Sequence, residues 1–311
     1  MPGFIDSHIH LNDIDNLKKA SKWGVTTMLD MMCVHTELVD SLRNQKGLTD
    51  IQSCYEPVLS EPMEMFTNAV GGVSDFAQTK EDVKRIIDNQ IKKGAQYIKI
   101  ILENPPMAKE MLSEELINET VKYSHEKGKL TFAHTTSVEA YRRAANCGVD
   151  VLNHIPKDEI IPEHIIDMIK EKDLTVIPTL IMQQGLINAI KKIMPDKKND
   201  YSIVEKSVQL MHKKGVRIIA GTDANMTNKL NYIEHGTSIH KEFELMAQAG
   251  FSNKEILNSA TALPSKMFNL KNRGEIKVGY RADLILVKGN PLENIADTKN
   301  IVKVWIEGIE I

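Results

Sequence analysis

The sequence predicts an α/β protein whose main part is a (βα)8 barrel, also called a TIM barrel, followed by a small, truncated C-terminal β-domain. Short runs rich in β-branched residues alternate with amphipathic helices, a glycine follows five of those helices, and 311 residues fit one large domain with an appendage. Eight such runs favour closure into a barrel, with a doubly wound parallel sheet as the alternative. The predicted strands are residues 4–10, 26–32, 52–60, 97–102, 130–134, 150–155, 174–180 and 217–223. We expect the barrel to occupy residues 1–272 and the β-domain residues 273–311.

A recurring junction of helix, glycine and strand supports the repeated unit. Glycine lies just beyond the last turn of five predicted helices, at Gly24, Gly94, Gly128, Gly148 and Gly215. This position often needs a left-handed backbone, which glycine adopts without a steric penalty. Each of these sites therefore predicts the end of a helix and the start of the next strand.

The helices between these junctions have the period of an amphipathic helix. In the segment 80–93, Val83, Ile87 and Ile91 fall four residues apart, and charged residues occupy the rest of the helix surface. Helix starts are predicted at three serines with N-cap spacing: Ser113, Ser137 and Ser252, the last with Glu255 in a capping box. These apolar stripes predict core-facing surfaces.

Composition and charge exclude several classes of protein. Apolar residues make up 42% and charged residues 26%, as in a globular chain able to bury a core. The net charge of −3 offers no electrostatic footprint for nucleic acid or an anionic membrane, so a small-molecule partner is expected. Three scattered cysteines suggest neither a disulfide framework nor a thiolate metal site. No leader or long apolar run is evident, and we expect a cytoplasmic location.

Two histidines, His8 and His10, end the first predicted strand. Residues two apart on a strand project from the same face, so the two imidazoles lie side by side where the strand stops. Neutral imidazoles in this arrangement can share one transition-metal ion. A polar strand end with incidental histidines is the alternative for this pair alone.

Four later strands end in, or carry, further groups of the same chemistry. They are Lys99 on strand four, His134 on strand five, His154 on strand six and Asp223 on strand eight. Because functional groups of a barrel gather at the carboxyl ends of its strands, these residues together predict a two-metal hydrolytic site. Taken singly, each histidine could be a structural hydrogen bonder, and Asp223 could cap the following helix.

Lys99 lies in a run of isoleucines that is predicted to be buried. Burial lowers the pKa of a lysine and exposes a nucleophilic neutral amine. Such an amine can add carbon dioxide to give a carbamate whose oxygens could bridge two metal ions. A lysine that extends to solvent, or that pairs with Glu103 or Asp223, is the alternative.

The motifs together resemble the amidohydrolase superfamily, most closely its imidazolonepropionase-like and prolidase-like metal-dependent hydrolases. The resemblance covers nearly the whole chain and rests on five segments in the family's order, followed by a similar return into a small β-domain at 274–286. The segments are Pro2-Gly3-Phe4-Ile5-Asp6-Ser7-His8-Ile9-His10, Tyr97-Ile98-Lys99-Ile100, Ala133-His134, Asn153-His154 and Ala220-Gly221-Thr222-Asp223-Ala224. The resemblance implies that His8, His10 and Asp223 bind a buried metal ion, that His134 and His154 bind a more exposed one, and that carboxylated Lys99 bridges the two.

The resemblance also implies a reaction. Two divalent ions, which we expect to be zinc, would activate a water molecule as hydroxide for attack on an amide or dipeptide carbonyl, and Asp223 would shuttle the proton to the leaving nitrogen. Manganese, iron or cobalt would suit the same ligands. Hydrolysis of cyclic imides or lactones, deamination, and a degenerate barrel kept for binding or assembly are the alternatives.

Substrate selection is expected from the longer loops at the same rim, near 61–80, 181–201 and 225–236. The third loop supplies candidate substrate contacts: Asn225, Lys229, Tyr232 and His235. Relatives often have Gly-Gly-His in the first loop, whereas Val73 follows Gly71 and Gly72 here. Prolidase-type specificity is therefore not carried over.

The C-terminal strands are predicted at about 283–288 and 301–306, with a continuation to Ile311. Family members usually begin with several strands that pair with these, whereas Met1 stands directly before the first strand here. We expect either a mis-assigned start or a truncated domain whose open edge is covered by self-association, which makes a homo-oligomer an expected assembly.

Overall fold

The computed structural model describes residues 1–33, 35–63, 73, 75–105, 107–194, 200–225 and 230–311. Eight parallel strands occur in the described residues, at the predicted places in the chain. They are β1 (Phe4–Ile9), β2 (Val25–Asp30), β3 (Asp50–Ser53), β4 (Ile98–Leu102), β5 (Thr131–Thr135), β6 (Val151–Asn153), β7 (Thr175–Ile177) and β8 (Arg217–Ile218).

Helices alternate with these strands along the chain. They are α1 (Ile14–Lys22), α2 (Thr36–Leu42), α3 (Lys80–Lys93), α4 (Glu114–Glu126), α5 (Val138–Cys147), α6 (Glu163–Glu171), α7 (Leu180–Ile193), α8 (Tyr201–Lys213), α9 (Thr237–Gln248), α10 (Asn253–Ser259) and α11 (Ala262–Met267). Within the part of the chain that the structure describes, every helix is too short or too polar to cross a membrane.

The parallel strands form two sheets in strict sequence order, β1-β2-β3 and β4-β5-β6-β7-β8. Isolated parallel bridges connect the sheets at both edges, between Val58 and Ile100 and between Ile9 and Ala224. A doubly wound sheet would reverse its strand order in the middle, and this order does not. The carboxyl ends of the strands therefore lie along one rim.

Three strands end three or more residues before the predicted position, two of them for local backbone reasons. The run predicted at 52–60 ends at Ser53, because Tyr55 has a positive φ of 57° and Pro57 lacks an N–H for the ladder. The run predicted at 174–180 ends at Ile177, since Pro178 follows and Thr179 has a φ of 49°. The run predicted at 217–223 is a regular strand only at 217–218. The residues beyond these ends are free to turn toward the rim.

The predicted helix signals are confirmed by the structure. All five junction glycines have positive φ values. At Gly94, the φ of 97° allows its N–H to bond the carbonyls of Gln90 and Ile91 and end α3. Ser113, Ser137 and Ser252 each cap a helix, and Ser252 forms the predicted capping box with Glu255.

The segment 181–201 was expected to be mainly a loop, and this expectation is wrong for its first part. It forms α7 (Leu180–Ile193), whose N-cap residue Thr179 makes no side-chain cap. Instead, the backbone N–H groups of Leu180 and Ile181 donate to the buried carboxylate of Glu242 on α9, at 2.9 and 2.8 Å. The cap comes from a residue about sixty positions later, so the local sequence has no start signal.

A small antiparallel sheet follows the last helix, with the order β11-β10-β9, where β9 is Leu284–Val287, β10 is Ile301–Ile306 and β11 is Ile309–Glu310. The predicted continuation to Ile311 is a hairpin instead, because Glu307 and Gly308 both have positive φ values and form a two-residue turn. Met1 and Gly3 exchange backbone hydrogen bonds with the segment 283–285, so one edge of β9 is paired within the chain. Self-association stays a prediction, which the half-exposed Leu286 and Val302 motivate.

His240 on α9 connects the end of α1 to the C-terminal segment. Its Nδ1 lies 3.0 Å from Thr298 Oγ1, its Nε2 donates to the Trp23 carbonyl at 3.2 Å, and its ring packs edge-on against Phe4. Burial is the main reason why the pKa of His240 falls from 6.5 to about 4, with Lys299 lowering it further and Glu244 opposing. The folded protein therefore keeps this imidazole neutral at pH values where an unfolded chain protonates it.

We therefore expect the free energy of unfolding of the metal-free protein to decrease as the pH is lowered. Between pH 6.5 and pH 4 the unfolded chain binds a proton at His240, whereas the folded chain does not. The free energy of unfolding is therefore about 2 kcal/mol lower at pH 5 than at pH 8. His240→Gln should remove this part of the pH dependence even if its overall stability is lower. Urea unfolding of both proteins at the two pH values measures the effect, and an equal pH dependence in the variant would contradict it.

Candidate metal centre

His8 and His10 direct their ε nitrogens at one carboxylate. His8 Nδ1 donates to the Asn153 side-chain oxygen at 3.1 Å, and His10 Nδ1 faces the Met32 carbonyl at 3.4 Å. Their Nε2 atoms lie 3.5 and 3.1 Å from Asp223 Oδ1. The Nε2 atoms of both rings therefore face the Asp223 carboxylate, which is the side on which a shared metal ion would lie.

Asp223 is held at the end of β8 by its backbone and by a neighbouring carboxylate. It has a positive φ of 58°, and its N–H donates to the His8 carbonyl at 2.8 Å. The buried Asp6 accepts from the Thr222 N–H at 3.0 Å and from the Thr222 hydroxyl at 2.7 Å. At Gly221 a Cβ atom would lie 3.0 Å from the His8 backbone nitrogen, so a side chain there would push β1 and β8 apart.

His134 and His154 extend this cluster along the rim. Their ring centroids are 4.5 Å apart, and the His154 centroid is 4.9 Å from that of His8. His154 Nδ1 lies 2.9 Å from Thr179 Oγ1, and His134 Nε2 donates to Glu103 Oε1 at 2.7 Å. The ends of β1, β5, β6 and β8 therefore bring together the histidines and the aspartate that the sequence singled out.

The tightest group differs from the grouping that the family resemblance implies. One ligand atom from each of His8, His154 and Asp223 lies within 4.8 Å of the others. The resemblance instead places His154 with His134. The five side chains also differ in exposure. His8 and His154 are almost fully buried, at 1 and 2% exposed. The side chains of His10, His134 and Asp223 are 16, 13 and 13% exposed. A substrate can approach the centre from the side of these last three.

Burial keeps most of these imidazoles in the form that binds metal. Desolvation lowers the pKa of His134 and lowers the pKa of His8 and His154 far below the ordinary value. Burial also acts to lower the pKa of His10, but the hydrogen bond and charge of Asp223 outweigh it and raise the pKa overall. A carboxylate that attracts a proton to His10 attracts a metal cation for the same reason.

Lys99 lies on β4 and is 3% exposed. Its Nζ atom has no hydrogen-bond partner among the described residues. Burial lowers the pKa of Lys99 to about 8, against the opposing charges of Cys54, Asp223 and Asp30. Burial therefore favours the neutral amine form of Lys99. A buried, unpartnered amine beside imidazoles and a carboxylate fits a ligand or bridging role in a metal centre.

A family model described as "Amidohydrolase family" matches residues 1–310, almost the whole chain. The chain belongs to the amidohydrolase family. Members of this family generally use divalent metal ions, and the His/Asp cluster described above is a candidate site for one.

Individual relatives of this chain are distant in sequence. The ochratoxinase of Aspergillus niger is 23% identical over 249 residues, which are 75% of this chain and 50% of that enzyme, so the chain spans about half the length of that curated relative. Among solved structures, a Xaa-Pro dipeptidase with bound methionine is 22% identical with a TM-score of 0.82, over 100% of this chain and 86% of that one. A putative prolidase from Bifidobacterium longum is 24% identical with a TM-score of 0.84, over 100% and 80% of the two chains. These structural matches support the fold.

The residues expected to contact substrate in the loop after β8 differ in exposure and in their partners. Asn225 forms an isolated antiparallel bridge with Ile233, which closes the base of the loop. Tyr232 is 52% exposed and lies beside Lys19, whose pKa it helps to raise after the larger effect of Glu234. Lys229, like Gly71 and Gly72 of the first rim loop, lies outside the described residues.

His235, another of the expected substrate contacts, packs against the backbone of His10. It is 0% exposed, and its Nε2 donates to the His10 backbone carbonyl at 3.0 Å. Burial lowers its pKa to about 4, so it is a neutral donor behind His10. In this structure His235 supports the backbone of His10, and its expected contact with substrate stays a prediction.

Sequence reasoning also missed Asp6, Glu103, Asn153 and Thr179, which contact candidate ligands or the segments that carry them. Each is a polar residue in a buried strand or within two residues of its end. Because a buried polar group needs a partner, that placement was the available signal. The identity of the partner depends on which strands become neighbours.

Proposed function

We propose that this chain is a metal-dependent amidohydrolase that cleaves a carbon-nitrogen bond, with amides and dipeptides as its substrate class. The observation that carries the proposal is the convergence of four imidazoles, the Asp223 carboxylate and the buried Lys99 amine at one rim. The family match and the names of the relatives, a Xaa-Pro dipeptidase, a prolidase and an ochratoxinase, support hydrolysis of amide bonds.

The architecture that we propose is a closed (βα)8 barrel at residues 1–272 with a small β-domain at 273–311. Consecutive parallel order and the two isolated bridges between the sheets support closure. A closed barrel gathers all eight carboxyl ends around one opening, which is the arrangement that a multi-ligand centre requires.

His8, His10, His134, His154 and Asp223 would hold two divalent ions, which we propose to be zinc, with Lys99 as a carboxylated bridging ligand. Imidazole and carboxylate donors suit zinc. Carboxylation joins Lys99 Nζ to the carbon of carbon dioxide and releases one amine proton to solvent. The bound ions would supply a water of lowered pKa, near ~7, and would polarise the substrate carbonyl.

The chain's own residues would do the remaining work. Asp223 is 13% exposed and contacts both His8 and His10, so its carboxylate can take a proton at the open side of the centre. The same group can return that proton to the leaving nitrogen, which amide cleavage requires because an amide anion is a poor leaving group. The buried His8 and His154 line the closed side, where water is excluded.

The decisive experiment is a hydrolysis screen with zinc-loaded protein across N-acyl amino acids, Xaa-Pro dipeptides, lactones and cyclic imides. We expect turnover of amides, about two zinc ions per chain by mass spectrometry, and loss of turnover on chelation that added zinc restores. Turnover confined to lactones, cyclic imides or amine-bearing rings would replace the amide assignment. A chain that neither retains zinc nor hydrolyses any of these compounds would support a degenerate barrel.

A further inference from the structure

Glu103 is a buried carboxylate that lies one residue beyond β4. It is 6% exposed and lies four residues after Lys99 in the chain. From the sequence it was an alternative partner for Lys99. Within the described chain Lys99 Nζ has no hydrogen-bond partner, and Glu103 bonds elsewhere.

The two contacts of Glu103 connect it to β5 and to the residues just after that strand. Its Oε1 lies 2.7 Å from His134 Nε2 and accepts from the Thr136 hydroxyl at 3.0 Å. Both contacts fall on the same oxygen of Glu103. The geometry ties the ring of His134 to β4, the strand that also carries Lys99.

We propose that Glu103 is a positioning residue that holds the proton of His134 on Nε2 and thereby makes Nδ1 its metal-binding nitrogen. A carboxylate has no proton to donate, so an imidazole that bonds to it must be the donor. A neutral imidazole with a protonated Nε2 carries its lone pair on Nδ1. This inference rests on the proposed function, since it assigns the ligand atom within the same centre.

The assignment sets His134 apart from the two histidines of β1. His8 and His10 turn Nδ1 to the Asn153 amide oxygen and the Met32 carbonyl and turn Nε2 to Asp223. His134 is turned the other way, and its partner is a buried charged group rather than a neutral one. A carboxylate partner on the far nitrogen makes an imidazole a more basic ligand and fixes its orientation.

The first test reads the tautomer directly and needs no activity. In metal-free protein labelled with ¹⁵N, two-bond ¹⁵N–¹H correlation should show His134 protonated on Nε2, with its signals identified by their loss in His134→Gln. Glu103→Gln should mix the two tautomers, because the amide can present either an oxygen or an NH₂ group to the ring. An unchanged Nε2-protonated signal in Glu103→Gln would overturn the proposal.

The second test measures zinc affinity by competition with a chromophoric chelator. Glu103→Gln should weaken the weaker zinc site about 10–100-fold, whereas Glu171→Gln, on the exposed surface of α6, should leave it unchanged. Thr136→Val should act in the same direction with a smaller effect, and Thr136→Ser should keep the wild-type affinity because it keeps the hydroxyl. This pair leaves Glu103 in place and decides the question if Glu103→Gln fails to fold.

The outcomes separate this inference from the proposed function. If wild-type protein hydrolyses amides and Glu103→Gln binds zinc as tightly as wild type, the positioning role is wrong and the function stands. If wild-type protein binds zinc but hydrolyses nothing, the function is wrong and the two affinity series still decide the role of Glu103.

Discussion

Replacing Asp223 by asparagine is expected to lower kcat/KM for the amide substrate by about a thousandfold or more. Positioned proton transfer contributes ~10²–10⁴-fold, and Asp223 is also the carboxylate that contacts both His8 and His10. Asparagine preserves the shape of the side chain and tolerates the positive φ of 58° at this position. The fold should therefore survive, and the loss should come from the missing charge and the missing proton acceptor.

Steady-state kinetics and zinc content, measured on the same variant, distinguish proton transfer by Asp223 from metal ligation by Asp223. Retained zinc with lost turnover assigns the effect to proton transfer, and lost zinc assigns it to ligation. Asp15→Asn is the matched control, because Asp15 is 65% exposed and bonds only locally to Lys18 and the helix start. Asp223→Asn with the kcat/KM of this control would contradict both roles.

Replacing Lys99 by methionine is expected to raise the free energy of unfolding of the metal-free protein and to lower the turnover of the zinc-loaded protein. The ammonium is almost fully buried, and in the described chain it has no hydrogen-bond partner. Methionine fills similar space without a polar head, so the free energy of unfolding of the metal-free protein should rise by about 1–3 kcal/mol. In zinc-loaded protein the same change removes the proposed bridging ligand, and turnover should fall by more than the ~100-fold that loss of an outer partner costs.

Urea unfolding of chelator-treated protein, zinc analysis and kinetics test this prediction. Lys129→Met is the matched control, because that lysine precedes the neighbouring strand β5 and its Nζ donates to the Ala95 carbonyl at 2.7 Å. The control should lose stability and keep its zinc. A ¹³C signal from labelled bicarbonate in wild type, absent in Lys99→Met, would identify the carbamate. Unchanged zinc content in Lys99→Met would defeat the bridging role.

Much of the fold could be predicted because its signals are local. The five junction glycines and the serine caps act within one helical turn, and the structure has them as predicted. Strand lengths were less accurate where one residue changed the backbone, as at Tyr55 and Thr179. The helix α7 was missed because its cap is the distant Glu242.

The residue types of the candidate site could be predicted for a different reason. Parallel strands place their carboxyl ends on one rim, so a histidine, lysine or aspartate at each strand end implies a neighbour without any knowledge of distances. The supporting residues follow no such rule. His235 was expected to contact substrate, and the structure shows it fully buried with its Nε2 hydrogen-bonded to the His10 carbonyl.

By itself, the sequence determined the alternation of strands and helices, the ends of the helices and the identity of the candidate ligands. These follow from periodicity, capping and strand polarity, which act over a few residues. Only the tertiary structure decided which nitrogen of each imidazole faces the centre, that Glu103 pairs with His134 rather than with Lys99, and that His8, His154 and Asp223 form the tightest group. The physical reason is that hydrogen bonds and ligand distances form between strands far apart in the chain, and their partners are fixed by packing.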